Sequence, residues 1–496
     1  MKLKRASGVL LHPTSLPGLD GIGDLGPQAY RWIDFLAEAG CGLWQVLPLG
    51  PTGYGDSPYQ CFSAFAGNPF LISPELLMQA GLLTEADVAD RPDFPVERVD
   101  YGPVITWKLT LLDRAFANFK ASASNQLRDE FTAFRSREAA WLNDFAAFMA
   151  LKEANGGVSW NNWPEPQRKR DPQALNEAYH SEAFQRHAFR QFLFFRQWWA
   201  LRHYTNERGI KIIGDIPIFV AYDSADAWSH PELFYMDEQG LPTVVAGVPP
   251  DYFSPTGQLW GNPLYRWDVH RQSGYAWWFE RLRATLRQVD LIRLDHFRGF
   301  AGYWEVPAGM PTAEIGEWKP GPGKDFLYAL QNTLGDLPII AEDLGLITPD
   351  VVELRDSFNL PGMRILQFGF GSVTDPFLPH NYVRNCVVYT GTHDNDTVKG
   401  WYKTAPKAEK QLALKYLNTA ATKLSEAMVR AIWSSVANVV VAPLQDLLGL
   451  GPEARMNYPG KPAGNWTWRM PLGSLSDDLR DDLLELNTLY DRKLSR

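Results

Sequence analysis

Eight short apolar runs punctuate this chain, at 8–13, 43–49, 210–215, 291–295, 338–342, 364–368, 386–390 and 438–443, and nearly all end in a polar or glycine-rich turn. They are continuous runs rather than alternations of apolar and polar residues, which is the pattern of strands buried on both faces. Helical patterns lie between them, at 27–39, 184–207, 275–288, 325–334, 349–358 and 405–436. Strand and helix in alternation predict a parallel sheet covered by helices. An open doubly wound sheet would gather its functional residues at one switch point. Here acidic residues follow several different strands, so the expectation is a closed (β/α)8 TIM barrel, in which the strand ends converge on one cleft.

Two intervals exceed loop length. Residues about 74–182, between strands two and three, are rich in helix formers and read as a largely helical insertion. Residues about 223–271, between strands three and four, carry Pro, Gly and Trp without long periodicity and read as an ordered lid or cleft wall. The span 1–496 then reads as a single catalytic barrel, and the short segment after strand eight argues against a C-terminal β-domain.

Composition removes several function classes. A hydrophobic share of 45% and a charged share of 21% describe a packed globular protein. The net charge is −9, with Lys and Arg scattered, so no footprint for nucleic acid is visible. Cys41, Cys61 and Cys386 form no C-x-x-C spacing, which supports neither a disulfide framework nor a thiolate metal site and fits a reducing cytoplasm. The basic N-terminus is interrupted by Ser-Gly and His-Pro, and no run approaches the ~18 apolar residues of a membrane span. Several of the 19 Trp sit at turns, among them Trp44, Trp260, Trp466 and Trp468. Such rings can offer flat faces to ligands, although core filling must account for most.

Chemistry concentrates in D-L-I-R-L-D-H-F-R-G-F at 290–300, where strand alternation puts Arg293 and Asp295 on one side. Alone, this pair is as well read as a structural ion pair. Three further acids follow apolar strands: Asp215 in G-D-I-P, Glu342 in A-E-D-L-G and Asp394 in G-T-H-D-N-D-T. Carboxylates so placed are costly unless paired or used. Arg293 is expected to keep Asp295 anionic, as a nucleophile requires, whereas Glu342 has no adjacent base and should hold its proton through desolvation. Asp394, beside His393, suits clamping of sugar hydroxyls. One acid and one anion are what retaining glycoside cleavage needs. Asp215 and Asp394 could instead cap helices or hold strand-end turns.

Two other patterns were weighed. G-I-G-D-L-G at 21–26 matches a dinucleotide fingerprint, but the preceding strand ends too early and no ribose-binding acid follows the next one, so a turn is expected. His296, His393, Asp394 and Asp396 could suggest a metal-dependent hydrolase, yet adjacent His-Asp residues in a strand point to opposite faces.

The chain resembles the amylomaltases, or 4-α-glucanotransferases, related to the α-amylase group, over nearly its whole length. The resemblance rests on H-P-T-S-L-P-G at 12–18, G-Y-G-D-S-P-Y at 53–59, G-D-I-P-I-F-V at 214–220, G-V-P-P-D-Y-F-S at 247–254, G-Q-L-W-G-N-P at 257–263, R-L-D-H-F-R-G at 293–299, A-E-D-L-G at 341–345, G-T-H-D-N-D at 391–396 and G-N-W at 464–466. It implies that Asp295 is the nucleophile, Glu342 the acid/base and Asp394 the transition-state stabiliser. It further implies that Tyr59 stacks on the sugar, that Asp215, Arg293 and His393 bind its hydroxyls, and that Ser57 belongs to the binding set. Asp251, Gln258 and Trp260 would lie over the acceptor side, Asn465 would line the cleft, and Tyr54 and Tyr101 would touch a second glucan strand. The implied partners are α-1,4-glucans and malto-oligosaccharides, with no cofactor, metal, nucleic acid or membrane, in a cytoplasmic monomer or weak homo-oligomer. An α-amylase-type retaining hydrolase shares the first half-reaction, and a non-catalytic glucan-binding protein is a third reading. The loop around Trp260, able to exclude water, favours transfer.

Overall fold

In a computed structural model, which describes residues 3–250, 254–336, 338–461 and 463–494, each of the eight runs overlaps a strand, the sixth only at 364–365, beyond which the chain turns into a 3-10 helix. The strands are Ala6–Leu10, Leu43–Gln45, Lys211–Pro217, Leu291–Asp295, Ile339–Ala341, Gly362–Ile365, Cys386–Tyr389 and Val439–Pro443. They pair in parallel in the order six, seven, eight, one, two, three, four, five. The amide of Ala341 donates to the carbonyl of Pro361 at 2.9 Å and bridges the remaining gap between strands five and six. The chain is a TIM barrel.

Alternate residues of the strands sort into two cores, which explains why the runs are continuously apolar. Leu10, Leu43, Ile213, Leu291, Ile340, Val387 and Val441 belong to one cluster, inside the barrel. Val9, Trp44, Ile212, Ile292, Leu294, Ile339 and Val440 belong to the other, between strands and helices. Full burial of each such side chain contributes about 1.5–3 kcal/mol.

The outer layer includes helices Pro27–Glu38, Glu182–Glu207, Ala276–Gln288, Gly323–Leu334 and Pro349–Ser357. The single helical pattern at 405–436 is instead two helices, Lys407–Tyr416 and Leu424–Ser434. Asn418 adopts a left-handed φ of 48°, and the Thr419 amide returns to the Leu414 carbonyl at 3.1 Å. That is a helix-ending cap, which apolar periodicity does not register.

Between strands two and three lie helices Pro74–Gln79, Tyr101–Ser122, Asn125–Arg137, Ala139–Ala154 and Pro172–His180. Phe116, Phe119, Phe131 and Phe134 pack there against Phe189 and Phe192 of the helix Glu182–Glu207. Segments after strands three and four form a second, antiparallel sheet, with Gln258–Pro263, Val244–Val248, Gly302–Pro307 and Glu317–Pro320 side by side. Three of its strands carry Gly, Pro, Glu and Trp and do not stand out as apolar runs, whereas Val244–Val248 is apolar but short and lies within the interval read as a lid.

Two turn features resolve as packing. A Cβ on Gly23 would meet the Pro13 carbonyl oxygen at 2.0 Å, so the G-x-G-x-x-G stretch answers a close backbone approach. Trp44 is fully buried and its Nε1 donates to the Leu11 carbonyl at 2.8 Å, which makes it a core residue rather than a ligand platform.

Beneath the barrel sits a polar joint. Arg492 donates to the carbonyls of Trp433 (2.7 Å), Ser435 and Ala437 (both 3.0 Å), and Ala6 and Asn438 (both 3.3 Å). Asn487 donates to the Ala39 carbonyl at 2.8 Å and accepts from Ser7 Oγ at 2.6 Å and Trp433 Nε1 at 2.7 Å. Among the described residues no helix is long and apolar enough to cross a membrane.

Candidate active site

At the opposite, C-terminal end of the barrel, Arg293 and Asp215 face each other across strands four and three. Arg293 is 4% exposed. Its Nη1 meets Asp215 Oδ2 at 2.5 Å and its Nη2 meets Asp295 Oδ1 at 2.7 Å. Asp215 therefore caps no helix and holds no turn. Burial raises its pKa to about 7; Arg293 opposes that shift and Asp295 adds to it. Its Oδ1 is buried with no hydrogen-bond partner among the described residues, an orphaned acceptor in a polar cluster.

Tyr59 closes this floor. Its hydroxyl donates to Asp215 Oδ2 at 2.9 Å. Its ring stacks on His393 at 4.8 Å and 17°, with the Trp466 ring 5.8 Å away. The Ser57 hydroxyl accepts from the Tyr59 amide at 3.2 Å and so shapes the turn that carries it.

Glu342, at the end of strand five, accepts from the amides of His296 (2.7 Å) and Leu344 (2.9 Å). His296 reaches it because it adopts a left-handed φ of 54° directly after Asp295. Burial pushes Glu342 up to about 8; Asp295 reinforces the shift, while Arg293 and the two amides oppose it. In sequence no cation adjoins Glu342, but the fold brings Arg293 and two N–H donors to it, and desolvation outweighs them.

Asp394 is about half exposed. Its Oδ1 accepts from Asn457 Nδ2 at 2.7 Å, and its backbone carbonyl accepts from Arg455 at 2.7 Å. His393 Nε2 lies 3.4 Å from Asp394 Oδ2, and burial lowers the pKa of that imidazole. The helix that follows, Val398–Thr404, is capped by Thr397, so Asp394 is not a cap.

Trp260 packs edge-on against His296, with centroids 4.8 Å apart, and its Nε1 donates to Gln258 Oε1 at 3.2 Å. Burial brings His296 down to about 4. Asn465 is buried, accepting from the Tyr458 amide and donating to the Lys461 carbonyl. It ties a loop that delivers Trp466, itself left-handed at φ 59°. Tyr101 donates to the Trp466 carbonyl at 2.8 Å from behind, whereas Tyr54 is 75% exposed. Asp251 lies outside the described residues. The described residues hold no group of three or more His, Cys, Asp or Glu placed to bind a metal ion.

Asn457 and Arg455 escaped the sequence reading as site residues. The sequence marks Trp466 only as a turn tryptophan, in the G-N-W at 464–466, without a stated role. The assembled site offers a cation between two carboxylates, a buried carboxyl that keeps its proton at neutral pH, and a stack of three rings.

A family model described as 4-alpha-glucanotransferase matches residues 11–475. A Thermus thermophilus protein named 4-alpha-glucanotransferase is 55% identical over 489 residues, covering 96% of this chain and 97% of its own. A Synechocystis protein of the same name is 50% identical over 499 residues, covering 99% of each. The solved structure of an amylomaltase from Streptococcus agalactiae in complex with acarbose superposes with a TM-score of 0.95 at 40% identity, over 99% of this chain and all of that one.

Proposed function

This chain belongs to the 4-alpha-glucanotransferase family and is an enzyme of that kind, and we propose that it works by a retaining double displacement at Asp295. In the first half-reaction an Asp295 carboxylate oxygen attacks C1 of the donor sugar while the bond from C1 to the leaving oxygen breaks. Glu342 gives its proton to that oxygen. In the second, the 4-hydroxyl of an acceptor glucan or glucose attacks C1, Glu342 takes its proton, and Asp295 is released. Two inversions leave the α configuration retained. Asp394 and the orphaned Oδ1 of Asp215 bind sugar hydroxyls, Tyr59 offers its ring to the sugar, and Trp260 covers the acceptor side.

One observation carries this reading. A buried guanidinium fixes Asp295, while burial gives Glu342 a pKa of about 8, so one carboxyl is placed to attack and the other to protonate. The acarbose held by the Streptococcus agalactiae relative accords with α-1,4-glucan donors. Three unpaired cysteines suit a reducing cytoplasm. Incubation with maltotriose should yield glucose and a ladder of oligosaccharides longer than the substrate, unchanged by a metal chelator. Glucose and maltose without longer products would leave a hydrolase in its place.

A further inference from the structure

A cavity of about 430 Å³ lies against the small antiparallel sheet, and none of the catalytic residues lines it. Its walls include Tyr235, Trp267, Asp268, Tyr303, Glu305 and Lys319. Sheet register sets Tyr303 beside Lys319 and Glu305 beside Ala246, so Tyr303, Glu305 and Lys319 share one face.

The charged groups here have partners, Asp268 with Arg266 at 3.5 Å and Lys319 with Glu317, while the aromatic ones are less well matched. Trp267 is 8% exposed, yet its Nε1 is buried with no hydrogen-bond partner among the described residues. Tyr303 is 4% exposed, and neither its hydroxyl nor that of Tyr235 has a partner among the described residues. Lys319 stands 3.8 Å from Glu305, whose pKa is raised chiefly by burial. Two tyrosine hydroxyls and two carboxylates thus line one roomy concave surface, the setting in which small ligands bind.

The chemistry narrows the ligand. Two carboxylates and one ammonium disfavour a polyanion. Tyrosine hydroxyls and carboxylates suit a neutral molecule dense in hydroxyls, and Tyr235, 36% exposed, offers a flat ring. We propose that this cavity anchors a distal stretch of an α-glucan chain while another stretch reacts in the cleft. The inference rests on the glucan reading above. The strand Val244–Val248 pairs with both Gln258–Pro263, which carries Trp260, and Gly302–Pro307. One sheet therefore joins the anchor to the acceptor side, and tethering would raise the local concentration of polymer.

The test compares Tyr235→Ala and Glu305→Gln with the parent enzyme, by retardation in native gels containing glycogen and by disproportionation of maltotriose. Retardation should weaken about tenfold, the worth of one or two hydrogen bonds, with maltotriose turnover and melting temperature unchanged. Unchanged retardation in both variants overturns the proposal. So does a parallel loss on maltotriose, which would assign the residues to the cleft. If the parent is retarded but makes no ladder from maltotriose, the transferase reading fails and the anchor stands.

Discussion

Arg492 beneath the barrel and Arg293 at its top are both buried guanidiniums, 1% and 4% exposed. Arg492 meets only backbone carbonyls, and all three of its nitrogens donate. Among the described residues no acid forms an ion pair with it, and burial lowers its pKa to about 9. Arg293 sits between two carboxylates, which raise its pKa against the effect of burial, and one oxygen of Asp215 still lacks a partner. The lower cluster is saturated and acts as a joint. The upper one retains unused bonding capacity, which is what a reacting site needs, and barrels of this type place chemistry at that end.

Asp295→Asn tests the contrast most severely. On the double-displacement proposal it should lower kcat by on the order of 10⁴-fold or more, because the loss of a nucleophile is not shared by its neighbours, with melting within a few degrees of the parent. A loss below tenfold would break the assignment. Arg293→Ala comes next, with a fall of about 10²- to 10³-fold in kcat, typical for removal of a fixed charge from a site, and a smaller effect on stability. If it unfolded while its folded fraction kept full specific activity, Arg293 would belong with Arg492. Arg492→Met should do the reverse. It strands several buried carbonyls and should cost about 3 kcal/mol in denaturant titrations, with kcat per folded molecule intact.

The pH profile sharpens the upper half. Glu342 must be protonated to act as an acid, so turnover should decline as pH rises through about 8, roughly tenfold for each further unit. Because its folded pKa is raised, the stability it contributes is complete below the unfolded carboxyl value and is lost as pH climbs through about 8. Glu342→Gln should therefore flatten the fall in stability between pH 5 and 9, and a slope equal to the parent's would contradict this. Asn457→Ala should have the mildest effect, about fivefold on kcat through a less well-held Asp394, the worth of one hydrogen bond. No change in the variant would mean that the contact is incidental.

Much of the barrel was legible because its strands are buried on both faces, which writes an uninterrupted apolar run into the chain at Val439–Pro443 as at Cys386–Tyr389. The strand-end acids were legible for a related reason, since Asp215 or Glu342 after such a run has little water to face. The break at Asn418 was not, because a left-handed residue leaves no mark on periodicity. The small sheet stayed hidden because Glu305 and Trp304 alternate on a half-exposed ribbon. Asn457 and Arg455 were invisible as partners of Asp394, since no local pattern tells where a distant loop folds back. The amide held to Glu342 was invisible too, as it depends on the φ of His296.

That turn at His296 has a mechanical meaning. The peptide following Asp295 is hydrogen-bonded to the Glu342 carboxylate, so that carboxylate is gauged against the backbone carrying Asp295, while Arg293 holds the Asp295 carboxylate itself. The double displacement proposed above requires its acid/base to stay in register with the attacking carboxylate through both half-reactions. A spacing machined into the main chain would not drift between the two.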